Sequence, residues 1–305
     1  MKKKILTLSI IAIIVIVVIL LAVNVNEQTK SKFNIVTSFY PMYIATLNIT
    51  DGVDDVQVSN LTKETTGCIH DYVLTTTELV TLTKADVLVI NGAGMESFMD
   101  KVISNFKDLP VIDSAKNVEL IKEECHEHEH HNGHSHETNS HTFVSVKNYI
   151  KQVQNICDGL VKLDEKNKEK YELNTRKYIA NLEELDNEIF NTIGSLENKN
   201  IITSHNSFEY FAREYSLNVV GIIESEHGKT PSAGEIAKII ETINEDKVRG
   251  VFVEEGANQR VVETILKEVN INKYILNPVT SGKNNKDEYI NIMNKNLEAL
   301  KEALS

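Results

Sequence analysis

Between Glu165 and Gly194 the chain runs for thirty residues without a proline. Tyr171, Tyr178, Leu182, Leu185, Ile189 and Ile193 recur there at separations of seven, four and three. That periodicity predicts one continuous helix with a single apolar face, roughly 45 Å long at 1.5 Å per residue. A helix of that length is too long to lie on one small domain, so it is expected to join two and to limit how far they hinge.

The flanking sequence fits two α/β halves. On the amino-terminal side, Phe33 to Ser38, Val56 to Leu61 and Asp86 to Ile90 read as strands, each followed by turn chemistry or a helical pattern. On the carboxyl-terminal side, Asn200 to Thr203, Asn218 to Ile222, Gly250 to Val253 and Lys273 to Leu276 repeat the alternation. Strands alternating with helices favour a mostly parallel sheet in each half. Ser232 to Glu235 has the form of a capping box, and the apolar stripes at Ile236, Ile239, Ile240 and Ile243 and at Tyr289 to Leu304 read as core faces. The expected organisation is residues 33–163 as one lobe, 164–194 as the linking helix and 199–305 as the second lobe.

Residues 1–24 stand apart. Lys2, Lys3 and Lys4 precede nineteen uncharged residues from Ile5 to Val23, which suffices for a membrane-crossing helix. An uncleaved anchor is expected ahead of a cleaved signal peptide, because the run exceeds a secretory core of roughly 7–15 residues. No cysteine lies in or just after it, so a lipid-anchored terminus is not expected, and the remainder is expected outside the cell membrane. The formal charge of −12 argues against nucleic acid as a partner. Cys68, Cys125 and Cys157 show no CxxC spacing and leave at least one thiol unpaired.

From His126 to His141 seven imidazoles sit among glutamates with almost no apolar company. Such a tract cannot build a core and reads as a metal-binding segment. His126, His128, His130, His131, His134 and His136 form its crowded part, while His141 adjoins Thr142-Phe143-Val144, where ordered structure resumes. His70 lies in a loop after a strand and His205 at the carboxyl end of another. Each alone would more often be structural or exposed, but three imidazoles on separate ordered segments can close a metal site if the lobes face each other. Imidazole suits zinc, and also copper or nickel, better than manganese, which prefers oxygen donors.

Ile35 to Tyr43, Ala85 to Glu96, Val251 to Asn258 and Leu276-Asn277-Pro278 resemble the zinc and manganese substrate-binding proteins of ABC transporters over nearly all of the chain after Lys32. The acidic His-rich loop just before a candidate ligand is similar to the zinc-uptake branch. The resemblance implies two lobes joined by a rigid helix, Zn2+ held between them by His70, His141 and His205, and delivery to a membrane permease driven by an ATPase. It implies a receptor rather than an enzyme, expected to be monomeric; the chain also lacks the HExxH of zinc hydrolases. The segments before His70 and His141 depart from the family pattern, with Cys68-Ile69 and Asn139-Ser140, and Val279-Thr280-Ser281 stand where a completing carboxylate often lies. Water, Glu224, Glu226, His227 or Thr280 are the candidates for a fourth ligand. A manganese receptor of the same architecture, or a surface metal buffer or adhesin acting through the tract, are the alternatives.

Overall fold

The computed structural model describes residues 32–62, 72–122, 138–223, 231–254 and 259–305. Among them, two four-stranded sheets form, every pairing parallel. The first contains β1 (Phe33–Thr37), β2 (Val56–Asn60), β3 (Val87–Ile90) and β4 (Val111–Asp113) in the order β2-β1-β3-β4. The second contains β5 (Asn200–Thr203), β6 (Asn218–Ile222), β7 (Gly250–Val253) and β8 (Asn272–Ile275) in the order β6-β5-β7-β8. The two sheets thus share one topology. In each, the strand order reverses beside the first strand, between β1 and β3 and between β5 and β7. In open α/β sheets ligands bind outside the carboxyl ends of the strands at such a point.

Each sheet is buried on both faces, as parallel sheets require. Ile35, Val87 and Val89 of the first sheet and Ile201 and Phe252 of the second belong to one continuous apolar core. Their neighbours point the other way: Val36 and Leu88 join a smaller cluster beneath the first sheet, and Ile202, Val251 and Val253 one beneath the second. The alternation follows directly from the two-residue period of a strand.

The helix Lys168–Gly194 fills the shared core. It buries Tyr171, Thr175, Tyr178, Leu182, Leu185, Ile189 and Ile193, spaced by three and four, and a single 3-10 turn over Glu165–Asn167 precedes it. At 27 residues it spans roughly 40 Å. The amphipathic helix Val146–Leu163 packs beside it, started by Ser145, whose hydroxyl accepts from Asn148 N. Cys157 on that helix is a free thiol buried in the core, and burial raises its pKa.

The carboxyl-terminal segment ties the halves together. Tyr289, on the helix Glu288–Leu304, stacks on Tyr149 with ring centroids 3.8 Å apart and donates through its hydroxyl to Phe143 O at 2.9 Å. Tyr40 Oη donates to Lys283 O and Asn48 Nδ2 to Lys286 O, both from the helix Tyr40–Ile49 of the first half.

The observed strands reproduce the expected ones to within a residue at each end, with β4 as an addition. No helix among the described residues is long and apolar enough to cross a membrane. The apolar run Ile5 to Val23 lies outside those residues.

Candidate metal centre

His205 follows β5 by two residues, at the carboxyl end where the order of the second sheet reverses. Both ring nitrogens are buried, and neither has a hydrogen-bond partner among the described residues. An imidazole in that state forfeits its hydration without return, a cost of about 1–3 kcal/mol unless a ligand supplies the missing contact. Beside it, the backbone is held by polar cross-ties: Ser204 Oγ accepts from Glu254 N at 2.9 Å, and Ser207 Oγ donates to the Glu254 carboxylate.

His141 approaches from the other half. It is 3% exposed and precedes the 3-10 turn Thr142–Val144. Its ring centroid lies 5.2 Å from that of His205, the two planes at 75°. Asn139 Oδ1 accepts from His141 N at 2.9 Å and lies 3.0 Å from His141 Nδ1. An amide oxygen can only accept, so the hydrogen of a neutral His141 ring sits on Nδ1 and the lone pair on Nε2.

Beneath His141 lies a second set of buried polar groups at the carboxyl ends of β1 and β3. Asn91 donates through Nδ2 to Ser140 O at 3.0 Å, and its Oδ1 accepts from Thr142 Oγ1 at 3.3 Å and Gln152 Nε2 at 2.8 Å. Asn91 therefore grips the residues on both sides of His141. Asn91 is in turn fixed by Glu96, whose Oε1 accepts from Asn91 N at 2.6 Å and Ser38 Oγ at 2.7 Å, while Oε2 accepts from Gly92 N at 3.0 Å. Burial pushes the Glu96 carboxyl up to about 7 against the opposing pull of these three donors, with nearby Asp113 adding to the rise. Asp113 is itself raised by burial. Gly92 has φ +80°, and a Cβ there would stand 1.9 Å from Asp113 Oδ1, so the turn that aims two donors at Glu96 needs glycine.

The model of the family described as zinc-uptake complex component A, periplasmic (ZnuA), matches residues 35–303. The chain belongs to that family. The high-affinity zinc uptake system protein ZnuA of Bacillus subtilis (strain 168) is 32% identical over 283 residues, covering 90% of this chain and 88% of its own. The zinc-binding lipoprotein AdcA of Streptococcus pneumoniae (strain ATCC BAA-255 / R6) is 31% identical over 290 residues; the match takes in 90% of this chain but 56% of that relative's length. A solved crystal structure of ZnuA superimposes with a TM-score of 0.78 at 28% identity, covering 90% of this chain and 100% of that one. Two parallel sheets with a long helix between them are thus the architecture of the family as well as of this chain.

Of the expected ligands, the structure brings His141 and His205 together. His70, Cys68, Cys125, the histidines from His126 to His136, and Glu224, Glu226 and His227 lie outside the described residues. Thr280 is buried and follows Val279, which holds a left-handed φ of +66°. That conformation is rare for a β-branched residue. Asn277 Oδ1 accepts from Val279 N at 2.7 Å, and Asn296 clamps the Asn277 backbone from both sides. No group of three or more His, Cys, Asp or Glu able to hold a metal occurs among the described residues. Asn91 and Glu96 fall in the Ala85–Glu96 segment that carries the family resemblance and Asn139 in the departure before His141, but residue type alone assigns none of them a role. The available signal is position: Asn91 directly follows β3, Glu96 lies five residues further on, and Asn139 stands two residues before His141.

Proposed function

We propose that this protein is an extracytoplasmic receptor that captures Zn2+ between its lobes and hands it to a membrane permease of an ABC transporter. His70, His141 and His205 supply three neutral imidazoles, and the fourth position falls to water, Glu224, Glu226, His227 or Thr280. The single observation that carries the reading is the pair of imidazoles from opposite halves, 5.2 Å apart, one with both nitrogens buried and unpartnered among the described residues. Two rings bound to one tetrahedral zinc at about 2.0–2.1 Å have centroids about 5 Å apart, so the spacing suits a shared ion. Zinc-binding relatives within the family support the choice of metal.

The protein acts as a monomeric receptor rather than an enzyme, tethered through residues 1–24. The long helix and the Tyr149–Tyr289 stack restrict hinging, so release depends on local rearrangement near the ligands. The loop from His126 to His136 gathers metal without forming the tight site.

Calorimetric zinc titration of the full chain, of a chain lacking residues 126–136, and of His205→Ala tests this. One tight site is expected in the first two and none in the third. A tight site that vanishes with the loop and survives His205→Ala overturns the reading in favour of a surface buffer.

A further inference from the structure

Asn139 is fully buried, and its side chain touches both halves of the molecule. Its Oδ1 serves His141 as described above. Its Nδ2 donates to Asn206 O at 2.8 Å and to Glu209 Oε2 at 3.0 Å. Asn206 is the residue next to His205, and Glu209 opens the helix Glu209–Tyr215 that follows. The backbone of Asn139 is pinned as well: its carbonyl accepts from Tyr210 Oη at 2.7 Å, and its N donates to Ile121 O at 2.9 Å. Two acceptors on one side and the His141 backbone N–H on the other admit only one orientation of the amide.

We propose that Asn139 is a positioning residue that couples the two metal-binding imidazoles across the lobe interface, setting both the tautomer of His141 and its spacing from His205 before metal arrives. The proposal rests on the reading of His141 and His205 as zinc ligands. Its physical content is preorganisation. A ring already turned to present Nε2, and held against the segment that carries the second ligand, loses less freedom when it binds. The amide is essential to the geometry because one group must accept toward His141 and donate toward Glu209 and Asn206 at once. A carboxylate of the same shape accepts on both sides and faces Glu209 with like charge.

The test uses Asn139→Asp, Glu209→Gln and the double variant in the full chain, with zinc affinity read by competition against a chromogenic chelator. Asn139→Asp is expected to weaken zinc binding by about 10–100-fold, the usual effect of losing a group that orients a ligand. Glu209→Gln alone leaves affinity near the wild type, because its amide oxygen still accepts. Combined with Asn139→Asp, it restores part of the loss by returning a donor to the new carboxylate. Zinc affinity of Asn139→Asp equal to wild type, or a double variant no tighter than Asn139→Asp, overturns the proposal.

An independent readout on the unaltered apo protein is the imidazole 15N shift of His141, expected to show hydrogen on Nδ1; hydrogen on Nε2 overturns the proposal even if a variant fails to fold. His205→Ala run alongside separates the two ideas. If it binds zinc as the wild type does, the site reading fails. If it loses the tight site while Asn139→Asp keeps it, only the coupling role fails.

Discussion

Glu96 makes the stability of this protein depend on pH in a direction opposite to that of most carboxylates. Replacing it with glutamine exposes the effect. Burial lifts the carboxyl from an ordinary 4.5 to about 7, which corresponds to about 3 kcal/mol at roughly 1.4 kcal/mol per factor of ten. Because the native state holds this proton more tightly than the unfolded chain, the contribution is fully present below about pH 4.5 and is lost as pH rises to 7.

Glutamine cannot ionise, so Glu96→Gln lacks this dependence, and titrating groups distant from Glu96 are common to both proteins and cancel in the difference, leaving Glu96 and its coupling to Asp113. Guanidinium unfolding of the chelator-treated proteins at a series of pH values from 4.5 to 8 gives the difference directly. Wild type minus Glu96→Gln is expected to fall by about 3 kcal/mol across that range, most of it between pH 5 and 7. The absolute offset depends on how the amide fits Ser38 Oγ, Asn91 N and Gly92 N, but the slope does not. A difference that stays flat, or one that grows with pH, refutes the assignment of Glu96 as a buried carboxyl whose ionisation costs stability.

Three further expectations follow from the same geometry. Gly92→Ala places a methyl against Asp113 and strains a left-handed residue, so it should destabilise by about 1–3 kcal/mol in thermal or denaturant unfolding; an unchanged midpoint counts against the turn geometry. Tyr289→Phe keeps the stack on Tyr149 but removes the bond to Phe143 O, with an expected loss of about 1–2 kcal/mol and little change in zinc affinity; a loss below a few tenths would show that bond to be replaced by water. Zinc must compete with protons for imidazole, so affinity should fall between pH 7.5 and 5.5 as the range of ordinary histidine near 6.5 is crossed, and equal affinity at both would exclude an imidazole site.

The strands of both halves were legible because each couples an apolar run to turn residues, and the long helix because its stripe persists for seven buried positions. β4 was not, being three residues with only Ile112 buried, too short to show a period. The 3-10 turn at Glu165 is likewise only three residues long, and the left-handed Val279 left no pattern because its N–H is held by Asn277, whose own backbone is fixed by Asn296 from the last helix. At the site, His141 and His205 could be singled out by residue type and position at the edge of ordered segments. Asn139, Asn91 and Glu96 could not be given roles: Asn139 meets Glu209 across 70 residues and Asn91 meets Ser140 across 49, pairings that no short motif encodes. The Asn139-Ser140 departure from the family pattern was visible, but its meaning needed the position of Glu209.

The most direct measurement is a crystal structure of the zinc-loaded protein with anomalous scattering recorded on both sides of the zinc edge. One strong peak is expected between the two sheets, bonded to Nε2 of His141, to a ring nitrogen of His205 and to His70. A peak confined to the segment from His126 to His136, or one between the lobes that engages neither His141 nor His205, would contradict that expectation.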